Sequence, residues 1–247
     1  MYLLKEFQQP IEYGYFSGVV SVKELSLLDS SQMERLLDVP DFKEKVKVLA
    51  DTEFSGIIAN VTGEKSIEEG FDGYQKDLFD DLLRTGLKRE VIDFFRIKYD
   101  FLNLSYAAME FLFDKKPAGQ NYVAMFSPKD YKLWLAGEVS TQSLSFGIFQ
   151  NEMEQMREKI LLEELENTEA VGSLIREWQW KITKIIVKKL KNKFIEKLLY
   201  SLIDIANVKA LIRIKHLGLN GDFGFIAGGR LEKDIFKTMV ELNDAAL

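Results

Sequence analysis

A chain of 247 residues, 47% hydrophobic and 29% charged, has the proportions of a folded protein and is long enough for more than one helical unit. It has no cysteine, which excludes disulfides, thiolate metal sites and cysteine nucleophiles together and fits a reducing, cytoplasmic setting. Its net charge of −6 argues against a nucleic-acid partner. Apolar runs are broken by Lys or Glu well short of the roughly 20 residues that a membrane-spanning helix needs. The start, Met1 to Pro10, carries Lys5 and Glu6 and lacks the apolar stretch of a secretory signal, so any membrane association is expected to be peripheral and through a protein partner.

In the first seventy residues Leu25, Leu28, Met33, Leu36, Leu37, Phe42, Val46 and Leu49 fall at helical spacing, with Gly- and Asp-rich breaks that predict several short helices. One is expected to start at Ser30 or Ser31, with Glu34 near the positive end of its dipole. From Asp77 to Phe113, Leu78, Leu82, Leu83, Val91, Phe94, Phe95, Leu102, Leu104 and Phe111 keep a helical pattern that is interrupted near Gly86. A loop carrying Pro117, Gly119 and Pro128 is expected to divide this half from the next. No proline follows Pro128, and interior proline costs a helix about 3 kcal/mol, so the longest helix is expected beyond it. From Phe149 to about Leu217 the helical signal is nearly continuous, with Gly172 its only glycine. Ile182, Ile186, Leu190, Phe194, Leu198 and Leu202 recur every four residues, while Lys181, Lys184, Lys188 and Lys191 mark another face, which predicts one long amphipathic helix. Trp178 and Trp180, two apart, are expected on roughly opposite faces, so that one is available to a partner.

Reactive chemistry finds little support. Thr62-Gly-Glu-Lys-Ser66 has a glutamate where a phosphate-binding loop needs none, and Gly221, Gly224, Gly228 and Gly229 do not spell a dinucleotide fingerprint. His216, the one histidine, cannot supply the two Glu-x-x-His motifs of a di-iron bundle and reads as a capping or surface residue. Glu163, Glu164 and Glu166, beside Arg157 and Lys159, read as a solvated face rather than paired acid–base carboxylates. No catalytic residue, cofactor or metal site is expected.

Aligning the chain on itself at an offset of 104 places Asp100 and Asn103 on Asp204 and Asn207, within Tyr99-Asp-Phe-Leu-Asn103 and Ile203-Asp-Ile-Ala-Asn207. Val91 then falls on Ile195, Phe94 on Leu198 and Phe95 on Leu199. Asp and Asn are poor helix formers, so a recurring pair on one helix face within apolar surroundings asks for a reason. The side chains either hydrogen-bond the backbone end of a neighbouring helix or form local caps or kinks. The fold class these signals give is all-α, with two similar long-helix bundle units related by the repeat.

The pattern Asp204, Asn207, Arg213, followed by Lys215-His-Leu-Gly218 and Ile226-Ala-Gly-Gly229-Arg-Leu231, resembles the central-stalk family of the V-type and A-type rotary ATPases, whose member is known as the C or d subunit. Tyr13-Gly-Tyr15, the pairs Leu27-Leu28 and Leu36-Leu37, and Leu49-Ala-Asp-Thr52-Glu-Phe54 are similar too. The first copy departs from the pattern, with Met109 where the second has Arg213. The resemblance implies a partial third unit and the divisions 1–120, 121–225 and 226–247. It implies a non-catalytic part of the central stalk, cytoplasmic and peripheral to the membrane, that links the shaft subunits to the proteolipid ring and transmits torque for ion transport. Asp100, Asn103, Asp204, Asn207, Arg213, Gly228 and Gly229 are then its structural motif. A free-standing helical adaptor or regulatory scaffold is the competing expectation.

Overall fold

The computed structural model describes residues 14–59, 63–115, 119–144, 146–162, 165, 167–216 and 224–241. Several positions singled out above lie outside these: the first ten residues, Tyr13, Thr62, Pro117, Glu163, Glu164, Glu166, Leu217, Gly218 and Gly221. The described residues form eleven α-helices and no strand, so the chain is all-α. They fall into two compact units, one drawn from Met1–Ile92 and Asn121–Met125, the other from Asp93–Gln120 and Phe126–Leu247.

The first unit holds α1 (Gly14–Glu24), α2 (Ser30–Asp38), α3 (Phe42–Ala50), α4 (Ser55–Ile58) and α5 (Glu64–Arg84). Helix α2 starts at Ser30, as expected, and its cap is Asp29. Its carboxylate accepts the Gln32 N–H at 2.8 Å while Gln32 Oε1 accepts the Asp29 N–H at 2.9 Å. This reciprocal box satisfies two orphan donors at once. Leu49, Phe54 and Ile58 form a small core on which Leu28, Leu36, Ile67 and Phe71 pack, with the Phe54 ring 5.3 Å from that of Phe71. Of the paired leucines, Leu28 and Leu36 face this core, and Leu27 and Leu37 are exposed.

Helix α5 ends where the sequence indicated. Gly86 adopts φ +96°, which lets its N–H reach Leu83 O and the Leu87 N–H reach Leu82 O, both at 3.1 Å, closing the last carbonyls. Helix α6 follows (Arg89–Phe113). At 25 residues it is the longest described helix, so the expectation of a longer one after Pro128 does not hold.

From Asp93 of α6 onward, the second unit adds α7 (Pro128–Leu135), α8 (Gln150–Leu162), α9 (Thr168–Leu190), α10 (Lys193–His216) and α11 (Lys233–Glu241). Pro128 is the first residue of α7 rather than part of a loop, because its missing N–H would have been unpartnered there anyway and its fixed φ suits the first turn. The signal from Phe149 to Leu217 is three helices, not one. Asn167 caps α9 by accepting from the Glu169 and Ala170 N–H groups. Lys191 turns left-handed at φ 51°, and Asn192 Oδ1 accepts from the Phe194 and Ile195 N–H groups to start α10. The restart changes the phase of the apolar stripe. Ile182 and Ile186 are buried as expected, but in α10 the buried series is Ile195, Leu199, Ile203, Asn207 and Leu211, while Phe194 and Leu202 are exposed.

One core runs through the second unit, joining Phe101 and Leu104 of α6 to Trp134 of α7, Met156 of α8, Ile175 of α9 and Ile203 of α10. Leu104 is fully buried there. Replacing it with alanine should cost about 2–5 kcal/mol of unfolding free energy in a urea titration, whereas Leu27→Ala on the exposed face of the first unit should change it by less than about 0.5 kcal/mol.

Candidate functional site

The two Asp–Asn pairs stand on α6 and α10, and each reaches the backbone of a segment that enters the next helix. Their partners lie 19 to 27 residues away, so neither pair is a local cap. On α6, Asn103 Nδ2 donates to Phe126 O at 2.9 Å, and Asp100 Oδ1 accepts from the Phe126 N–H at 3.1 Å. Phe126 immediately precedes Ser127, which caps α7 in a reciprocal box with Asp130, so the pair fixes where α7 begins. The Phe126 ring lies edge-on to Tyr131 and Phe146, at 5.8 and 5.3 Å between centroids. Tyr131 OH donates to Asp100 Oδ1 at 3.2 Å. Burial, then the neighbouring Asp100 charge and this hydrogen bond, push the Tyr131 phenol well above its ordinary pKa.

On α10, Asn207 Nδ2 donates to Ile226 O and its Oδ1 accepts from the Ile226 N–H, both at 2.9 Å. The carboxamide thus pairs with a single residue as a neighbouring strand would. Asp204 accepts from the Arg230 N–H through Oδ2 and from the Leu231 N–H through Oδ1, both at 3.1 Å. Between these anchors, Lys184 of α9 donates its Nζ to Ala227 O at 2.6 Å.

The two glycines of the motif have separate reasons. Gly228 takes φ +99°, which side chains disfavour. Gly229 brings its backbone against α10 so closely that a Cβ there would collide with Asp204 Oδ1 and come within 3.1 Å of Ile203 Cγ2. Asp204 cannot swing aside without releasing the two amides it holds.

Arg213 does not join this group. It is exposed in the last turn of α10, nine residues after Asp204 on the same helix and so about 13 Å along the axis. Among the described residues it makes no ion pair, and its charge lies at the end of the helix where the dipole favours a cation. Met109, its counterpart, is half-buried in α6. Trp178 is buried with the Lys181 ammonium 3.8 Å above its ring, and Trp180 is half-buried against the same core. His216 is an exposed final residue of α10. Ser66 closes the start of α5 by accepting from the Gly63 N–H and donating to Gly63 O.

Sequence reasoning did not identify Phe126, Tyr131, Lys184 and Ile226 as partners. Only the capping sequence Ser127-Pro-Lys-Asp130 carried a signal, by marking a helix entry. Apart from the Tyr131 hydroxyl on Asp100, the bonds described for both clamps go to backbone groups, an arrangement that holds segments in place.

Asn207→Ala leaves the N–H and C=O of half-buried Ile226 without their partner and should cost about 1–2 kcal/mol, with faster hydrogen exchange at the Ile226 amide; unchanged exchange there would contradict the clamp. Gly229→Ala should speed exchange at Arg230 and Leu231. As pH rises past about 10 the unfolded Tyr131 phenol ionises while the folded one keeps its proton, so the folded state binds more protons and stability falls with rising pH. Tyr131→Phe should remove that component from the alkaline arm of a plot of urea midpoint against pH.

Residues 16–246 match the family described as the ATP synthase (C/AC39) subunit. The C subunit of the A-type ATP synthase of Methanocaldococcus jannaschii is 22% identical over 255 residues, which cover 94% of this chain and 60% of that protein, so the chain spans less than two thirds of the curated relative it matches. With the family match running along nearly its whole length, this all-helical chain belongs to the ATP synthase C/AC39 subunit family.

Proposed function

We propose that this chain is a non-catalytic central-stalk component of a V/A-type rotary ATPase, linking the rotating shaft to the membrane proteolipid ring and carrying torque between them. The observation that carries the reading is the pair of backbone clamps, on Asp100 and Asn103 and on Asp204 and Asn207, in a chain of this family. A part that transmits torque needs stiffness rather than a reactive group. Long packed helices whose connecting segments are hydrogen-bonded into the core supply stiffness, because a buried backbone bond cannot be exchanged for one to water without opening the core.

The units 1–120, 121–225 and 226–247 are, on this reading, successive stretches of one helical design. The site of action is the cytoplasmic face of the membrane, reached through the proteolipid ring rather than by insertion. No described helix is long and apolar enough to cross a membrane, which is compatible with that placement.

Mixed with the shaft subunits and the detergent-solubilised proteolipid ring of its own organism, the folded chain should co-elute with one or both in size-exclusion chromatography. A folded chain that binds neither would refute the stalk role and leave a free-standing helical scaffold as the better description.

A further inference from the structure

Helices α9 and α10 and the segment that Asp204, Asn207 and Lys184 hold border a cleft of about 520 Å³. Its floor is apolar, formed by Val187 of α9 and Leu199 of α10, both buried in the core of the second unit. Three lysines line it: Lys184 and Lys188 of α9, and Lys191 in the turn to α10. Spaced four and three apart, they share one face. Among the described residues none of the three makes an ion pair. Lys184 Nζ has an uncharged partner, donating to Ala227 O at 2.6 Å. The one acid of the cleft, Glu196, already accepts the Tyr200 hydroxyl at 2.6 Å. A solvated charged face mixes both signs, whereas here three cations gather at an apolar-floored cleft in a protein whose net charge is −6.

Two backbone details serve the same cleft. Lys191 takes φ 51°, a left-handed conformation that glycine adopts without strain and lysine does not. The turn by itself would favour glycine there, and the α9 dipole already has Lys188 and Lys189 at its end, so the position gains a further ammonium on the cleft. Gly228, on the cleft as well, lacks the Cβ that would come within 3.3 Å of Lys184 Cε and Nζ. Space is thus kept beside an ammonium that has three protons to donate and spends one on Ala227 O.

We infer that this cleft binds a small organic phosphate, its phosphate group held by Lys184, Lys188 and Lys191 and its compact apolar or aromatic body resting on Val187 and Leu199. A phosphate monoester carries close to two negative charges at neutral pH and three acceptor oxygens, which matches three cations better than a single carboxylate does. A cleft of about 520 Å³ has the size of a small-molecule site. The site stands apart from the stalk reading and does not rest on it.

The test follows the backbone amides of the full chain by nuclear magnetic resonance as phenyl phosphate, inorganic phosphate or phenol is added. Phenyl phosphate should shift the amides of Val187, Lys188, Ala227 and Gly228 and saturate; inorganic phosphate should shift the same amides more weakly, and phenol should leave them unmoved. Lys188→Gln/Lys191→Gln, at two exposed positions, should weaken phenyl phosphate binding at least tenfold with unchanged helical circular dichroism. Lys191→Gly removes a cation where glycine suits the backbone, so it should weaken binding without lowering the melting temperature. Added sodium chloride should weaken binding of the wild type. Vesicles of phosphatidylcholine containing one part in five phosphatidic acid separate the two sources of the phosphate: displacement of phenyl phosphate and co-sedimentation of the chain support a lipid headgroup, and their absence supports a soluble ester. Shifts spread over exposed lysines elsewhere, or equal in the wild type and both variants, mean an adventitious ion only and overturn the site. A glutamate tetrapeptide that binds more tightly than phenyl phosphate overturns it in favour of an acidic protein segment. Amides that no probe moves overturn it too, as they would if another part of the chain filled the cleft.

Discussion

A buried carboxamide that gives its N–H to a peptide carbonyl and takes the N–H of the same residue fixes that residue's position, register and rotation in one contact. Asn207 does this to Ile226, and Asp100 with Asn103 divide the same two tasks at Phe126. Buried peptide groups that lose such partners are left unsatisfied at a cost of about 1–3 kcal/mol each. The long helices of the second unit would exist without these bonds, held by their apolar faces. What the bonds decide is where the chain goes after it leaves α6 and α10, and so where α7 and α11 begin.

Several otherwise puzzling residue choices follow from that constraint. Asp and Asn weaken a helix interior by a few tenths of a kcal/mol each, yet they sit in the middle of α6 and α10, where each pair supplies the donors and acceptors that hold the following segment. Gly229 is tied to the same requirement. The backbone must approach α10 closely enough for Asp204 to reach the Arg230 and Leu231 amides, and a side chain at 229 would occupy the space the carboxylate needs. Lys184 adds a bond from the opposite side of the loop, at Ala227 O. The result is a segment anchored at four residues between Ile226 and Leu231.

The helices themselves were largely legible, because amphipathic spacing and the αL preference of glycine are local properties. The break at Gly86 and the α5 and α6 helices around it were readable for that reason. The start of α2 at Ser30 was readable too, and the errors were local competitions decided by one residue: Pro128 opened a helix instead of marking a loop, and Asn192 restarted one. The last of these had the largest consequence. A four-residue period continued unbroken through Leu190 and Phe194 in the sequence, but the left-handed Lys191 shifted the phase, so that the true buried stripe of α10 lies one residue later.

The sequence alone determined the all-helical class, the absence of cysteine chemistry, and the recurrence of Asp and Asn three residues apart on two helices, since composition and short-range periodicity carry these. It also carried enough of the family's order of motifs for the resemblance to the rotary-ATPase central stalk to be drawn from residues. Only the tertiary structure decided what the Asp–Asn pairs hold, because their partners are backbone groups 19 to 27 residues away and every residue presents the same N–H and C=O. It also decided that Arg213 stands apart from Asp204, and that Ile195, Leu199 and Ile203 rather than Phe194 and Leu202 form the buried face of α10. Which side of a helix meets the core is settled by the surfaces packed against it, and no periodicity within the helix contains that information.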